Sequence, residues 1–261
     1  MSPENQVVAD LALFSFVKVL AKINKLTHIL EYRQHTALNT RMPGYQVKMG
    51  FGLHQGWAIE GAIGSFFKID ASYLSPNVNM ASRLEYATKQ YGVSILVSGP
   101  FATLLSAPIK KYLREIDNVT VKGSVLPITL NTVDVDFNGL EEIADRFQNM
   151  MVKEKKSIRD QEKKQLLTKV ERGWKTTLQV WSQDAEFKEL RRNYDPMFVK
   201  KFNEAYLKYR EGDWATAEDI FSQCLKINPS DGPTKNLKLY IERCNGRAPQ
   251  GWVGVRELTD K

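Results

Sequence analysis

The alternation between Val47 and His54 constrains this chain more than any other feature. Val47, Met49, Phe51 and Leu53 occupy every second position, with Lys48, Gly50, Gly52 and His54 between them. Side chains alternate across a strand, so the pattern predicts one apolar face and one face nearly without side chains. Bare glycines on a strand mark close approach by another backbone or by a ligand. His54-Gln55-Gly56 reads as a tight turn, and Trp57 to Ile63 as the returning strand of a hairpin.

A strand of this kind needs partners, and the chain has the material for them. It has 261 residues, 43% hydrophobic and 26% charged. Those values exclude wholesale disorder, collagen and silk. Leu13, Phe16, Val17, Leu20 and Ile23 fall at helical spacing and predict a helix over 7–33. Asn39 to Gly44 predicts a loop, punctuated by Pro43-Gly44. Ser75-Pro76 is a helix start, with Ser as N-cap and Pro at the first helical position. That helix is expected to run to about Lys89, with Val78, Ala81 and Leu84 inward and Gly92 ending the segment. Val93 to Ser98 reads as a buried strand, followed by a short helix near 99–113. Asn118 to Lys122 and Ile128 to Asp134 read as two last strands, joined around Gly123-Ser124.

From Gly139 to Tyr194 Lys, Glu, Gln and Arg dominate, which predicts a long, partly exposed helical connector. After it, Phe198, Phe202, Ala205, Tyr206 and Tyr209 make one apolar helical face, and Gly212-Asp213 breaks it. Trp214, Ala217, Phe221 and Leu225 make a second face, ended by Asn228-Pro229. The pair has the length of one tetratricopeptide unit. A lone unit needs a neighbour, on the connector or on another chain.

Charge and cysteine content set the compartment and partner classes. The 37 Lys+Arg against 30 Asp+Glu give +7, a weak preference for anionic partners. The densest basic stretch, Lys153 to Lys164, also holds Glu154, Asp160 and Glu162. It reads as a solvated helix face, and no nucleic-acid partner is expected. Two cysteines, Cys224 and Cys244, fit a reducing compartment. The start lacks the basic region of a signal peptide. The most apolar stretch, Val7 to Ala21, contains Asp10, Ser15 and Lys18 and is short for a span.

Four motifs, in order across about 90 residues, carry a resemblance. They are Lys48-Met-Gly-Phe-Gly-Leu-His-Gln-Gly-Trp-Ala-Ile-Glu-Gly-Ala-Ile-Gly64, Lys68-Ile69-Asp70, Asn77-Val78-Asn79-Met80-Ala81-Ser82-Arg83-Leu84-Glu85 and Val119-Thr120-Val121-Lys122-Gly123. Together they resemble the C-terminal portion of class III adenylate/guanylate cyclase catalytic domains. The tail is similar to the C-terminal extension of some microbial and protist cyclases. The resemblance implies an α+β fold: a partial ferredoxin-like cyclase domain over 1–136, an all-helical connector over 137–195 and a tetratricopeptide-like helical hairpin over 196–261.

The resemblance also implies roles. Asn79 and Arg83, at i and i+4 on one helix face, would orient the ribose and stabilise charge at the α-phosphate. Lys122 would contact the triphosphate. Asp70 would read adenine by accepting from its amino group, which points to ATP; guanine-selective relatives usually carry a small residue there. Nine positions separate Asp70 from Asn79, two more than is common in the family. On residue type alone, Asn79 and Arg83 are ordinary exposed helix residues, Lys122 is solvated surface and Asp70 caps a loop amide. His54 takes a structural turn position. His28 and His35 receive no role, because neither has a Cys or carboxylate at metal spacing. Gly61-Ala62-Ile63-Gly64 lacks the Gly-Lys-Ser/Thr of a P-loop.

Such cyclases use two divalent ions, Mg2+ or Mn2+, held by two aspartates that lie N-terminal to everything matched. No Phe-x-Asp-Ile occurs in this chain, and no Gly-Asp precedes residue 212. No metal ligand is therefore assigned in it. Three readings of the chain follow. The chain is the back part of a longer adenylate cyclase, or a half completed by a metal-aspartate-bearing subunit. Alternatively it is an inactive pseudo-cyclase whose tail docks on a larger assembly. ATP is the expected small-molecule partner. The cytosol or the cytoplasmic face of a membrane or cilium is the expected location.

Overall fold

The computed structural model describes residues 3–121 and 126–258. In chain order these form α1 (Pro3–Ile23), α2 (Thr27–Leu30), a 3-10 turn (Glu31–Gln34), α3 (Thr36–Arg41), β1 (Phe51–Leu53), β2 (Ile59–Ser65), β3 (Lys68–Leu74) and α4 (Pro76–Tyr91). Next come β4 (Ile95–Ser98), α5 (Gly99–Leu104), α6 (Ala107–Lys110), β5 (Leu113–Val121) and β6 (Ile128–Val133). The remainder is α7 (Val152–Glu171), α8 (Thr177–Gln183), α9 (Ala185–Leu190), α10 (Pro196–Glu211), α11 (Trp214–Ile227), α12 (Gly232–Arg243) and β7 (Arg256–Leu258). The result is a mixed α+β fold in two units. One comprises Met1–Met49, Leu105–Ile109 and Val135–Tyr194, the other Gly50–Leu104, Lys110–Asp134 and Asp195–Lys261.

The second unit is built on a five-stranded sheet in the order β1-β4-β6-β5-β7. β1 pairs parallel with β4, β5 antiparallel with β6, and β7 parallel with β5. Gly52 of β1 and Gly50 just before it meet a helix. A Cβ on Gly52 would lie 2.3 Å from the Ala81 carbonyl oxygen, and one on Gly50 2.3 Å from Thr88 Oγ1. The bare face of the strand thus takes the backbone of α4. Ser75 caps that helix, accepting from the Asn77 amide at 2.9 Å. Gly92 ends it at φ 63°, a conformation that costs glycine little.

The tail helices complete the core of this unit. Phe198, Phe202, Ala205, Tyr206 and Tyr209 of α10 are buried with Trp214, Ala217, Phe221 and Cys224 of α11, in one cluster with Leu84, Leu96, Ile116 and Leu130. Two buried ionic clamps join tail to sheet. Arg114 binds Asp134 and Asp231, each at 2.7 Å, and Asp231 caps α12. Arg256 of β7 meets Asp117 at 2.9 Å. Tyr91 donates to the same carboxylate at 2.6 Å. Burial pushes the Asp117 carboxyl above its ordinary range, against the opposing pull of Arg256.

In the first unit α1 packs on α8 and α9. Phe14, Trp181 and Phe187 pack in sequence, the first pair tilted and the second edge-to-face, at centroid separations of 5.3 and 4.9 Å. Asp10, fully buried, accepts from the Ser106 amide, the Ser106 hydroxyl and the Thr177 hydroxyl. That full set of donors makes it a structural carboxylate.

Several local expectations need correction. The first helix stops at Ile23, because Leu26 turns out to bridge to Ile143. The segment expected as a loop from Asn39 begins inside α3. The strand expected from Val47 is only Phe51–Leu53. Its expected hairpin partner pairs with β3 instead, and β1 pairs with β4. Val78, expected inward, is exposed in the first turn of α4, and the buried face begins at Leu84. The connector opens with irregular chain before α7. The tail adds a third helix, α12, and the strand β7.

Candidate functional site

The site is organised by α4. Its buried face is Leu84, Ala87, Thr88 and Tyr91. Asn79 and Arg83 lie together on the flank of that face, Asn79 exposed and Arg83 half-buried. Among the described residues no hydrogen bond or ion pair occupies either side chain. An amide and a guanidinium one helical turn apart can jointly meet a hydroxyl and a phosphate.

Asp70 sits elsewhere. β2 and β3 form a separate two-stranded ribbon, with Ile63 opposite Asp70. All seven residues of β2 are exposed, and at the tip Phe66 and Phe67 are 98% and 95% exposed. Asp70 is paired with Lys68 at 3.0 Å. The carboxylate is therefore a ribbon side chain with a cationic neighbour, and the chain after it stays strand up to Leu74. Only Ser75 separates β3 from α4. The structure thus brings Asn79 and Arg83 together and carries Asp70 on the adjoining ribbon. Lys122 lies outside the described residues.

The ribbon is tied to the helix start through one carbonyl. Trp57 O accepts from Ser75 Oγ at 2.6 Å and from Asn77 Nδ2 at 2.8 Å. Gly56 is needed there, since a Cβ would lie 2.1 Å from Asn77 Cγ. Sequence reasoning gave Asn77 no part; only its position directly after a capped Ser-Pro could have drawn attention to it.

Among the described residues no group of three or more His, Cys, Asp or Glu side chains is disposed to hold a metal ion. Among the described residues none is therefore assigned to the divalent ions that the resemblance implies. Cys224 is buried, and burial pushes its thiol up to about 11, as suits a packing residue. No described helix is long and apolar enough to cross a membrane.

Comparison with known proteins points the same way as the motifs. Over 89 residues the chain is 38% identical to an adenylate cyclase of Anabaena cylindrica, covering 34% of this chain and 18% of that protein. Over 73 residues it is 34% identical to adenylate cyclase 1 of Rhizobium meliloti strain 1021, covering 28% and 11%. Over 78 residues it is 33% identical to the terminal-differentiation-specific adenylate cyclase of Dictyostelium discoideum, covering 30% and 4%. A third of the chain is thus similar to adenylate cyclases, and the match spans under a fifth of their length. No family model matches the chain. Two structures of bacterial light-regulated adenylyl cyclases align at 28% and 20% identity. They cover 38% and 57% of this chain and 26% and 48% of theirs, with TM-scores of 0.27 and 0.29. Those scores are too low to argue fold from.

Proposed function

We propose that the chain supplies the nucleotide-contacting part of an adenylate cyclase site, which turns ATP into cyclic AMP and pyrophosphate. The observation that carries this reading is the unoccupied Asn79–Arg83 pair on α4, a helix held against bare Gly50 and Gly52. In the reaction the ribose 3′-hydroxyl attacks the α-phosphorus and pyrophosphate leaves. Asn79 orients the ribose through its amide. Arg83 offers parallel N–H donors to the oxygens of the α-phosphate as charge grows there. Lys122 adds a cation at the triphosphate. Asp70 accepts from the adenine amino group. Its pair with Lys68 is no obstacle, because both side chains are more than half exposed and such pairs contribute only about 0–1 kcal/mol.

Mg2+ or Mn2+ would supply charge neutralisation at the phosphates, and its ligands would come from a metal-aspartate-bearing segment or subunit. An ATP substrate is compatible with the expected location in the cytosol or at a cytoplasmic membrane face. A non-hydrolysable ATP analogue is expected to raise the melting temperature of the chain more than its GTP counterpart. Asp70→Ala should erase that preference and Arg83→Ala should weaken both shifts. Equal shifts in every variant would sink the proposal.

A second reading is a pseudo-cyclase that acts as an interaction subunit. The exposed Phe66-Phe67 ribbon tip favours a partner under either reading. A stable complex with no nucleotide effect would favour this second one.

A further inference from the structure

His54 connects three elements at the start of α4. Its Nδ1 lies 2.9 Å from Ser98 Oγ at the end of β4. Its Nε2 lies 3.2 Å from Asn77 Oδ1 in the first turn of α4. The Trp57 carbonyl, which can only accept, takes Asn77 Nδ2 and so fixes which way the amide points. Asn77 Oδ1 must then accept, and Nε2 of His54 must carry the proton. Ser98 Oγ accepts from the Phe101 amide at 3.3 Å and donates its own proton to Nδ1. The chain of donors runs in one sense, from Ser98 through His54 and Asn77 to Trp57 O. The set of Ser, His and Asn is not a nucleophilic centre, because Ser98 is completely buried and no substrate reaches it.

We propose that His54 is a positioning residue for Asn79 and Arg83. It locks the first turn of α4 to the ends of β1 and β4, and so sets where the amide and the guanidinium stand. Its consequence for the nucleotide rests on the function proposed above; the locking itself does not. Ser75 and Asn77 tie the helix to the Trp57 segment, whereas His54 alone of these residues ties it to the sheet.

The test uses the full, 15N-labelled chain. Ring shifts of His54 are expected to show a protonated Nε2 and a bare Nδ1. His54→Ala should speed amide exchange over Val78–Arg83 about tenfold, the scale of one lost hydrogen bond, and leave Leu84–Tyr91 unchanged. His54→Gln, whose amide can reach Asn77, should restore slow exchange. Asn77→Ala should reproduce the His54→Ala pattern, which keeps the test decisive if the first variant folds poorly. A proton on Nδ1 alone, unchanged exchange in both alanine variants, or no rescue by Gln would overturn the proposal. ATP-analogue binding to the unaltered chain is measured separately. Its absence would sink the cyclase reading, and the exchange data would still decide the role of His54. Where binding is seen, an affinity unchanged by His54→Ala in a loosened first turn would also overturn it.

Discussion

Gly52 stands where a strand and a helix occupy nearly the same space. Gly52→Ala would put a methyl group against the backbone of α4 at Ala81 and Glu85, and neither backbone can yield cheaply. We expect a loss of about 1–3 kcal/mol, read by urea unfolding. Gly61→Ala is the control, since nothing lies within 4 Å of its added Cβ, and it should be near neutral. The Arg256–Asp117 pair calls for a different experiment. Arg256→Met strands a buried carboxylate and should cost about 3–5 kcal/mol, whereas Arg256→Met with Asp117→Leu should recover much of that. In the first unit Glu189 titrates below the ordinary glutamate range, chiefly through the hydrogen bond from Lys25 and then the Glu141 amide. Its folded value lies below its unfolded one. The ionised side chain therefore adds stability above the unfolded value, and that stability is lost as pH falls through the folded one. Glu189→Gln should lower the melting temperature at pH 7 and narrow the drop between pH 7 and about pH 3.5. An unchanged drop would show that Glu189 is not the group responsible.

At the scale of elements, the tail is where sequence and structure agree most closely. All five residues expected on the inner face of α10 are buried. A 3.6-residue period with Asp195 and Gly212 at the ends leaves little freedom. α4 was equally legible at its caps, and Asn79 and Arg83 shared a face by spacing alone. What could not be read was long-range. β1 pairs with β4, far along the chain, and β2 pairs with β3 rather than with β1; local alternation shows neither choice. β7 has three residues, and Arg256 within it looks polar until Asp117 is known to face it. The role of His54 was hidden for the same reason, because Ser98 reaches it only through the parallel pairing of β1 with β4. A chain ended at Tyr194 tests the tail's place. It loses Phe198, Phe202 and Tyr209 from the core and leaves Arg114 without Asp231. Bound anilinonaphthalene sulfonate and a lost near-ultraviolet circular dichroism signal are expected. A cooperative melt with native near-ultraviolet signal would contradict that placement.

In the molecule as a whole, Gly50 and Gly52 seat α4, and in the proposed chemistry α4 presents Asn79 and Arg83. In that proposed chemistry the divalent ions would be held by residues supplied from outside the described chain, and the exposed ribbon tip at Phe66 and Phe67 would be apolar surface for a partner that carries them. The most direct measurement combines the chain with a metal-aspartate-bearing cyclase half and manganese-ATP, and follows cyclic AMP. Product is expected, with a kcat lowered about 10²–10³-fold by Arg83→Ala and little change in KM. No product from a folded, stably associated complex, or full activity in the Arg83→Ala variant, would contradict the proposed function.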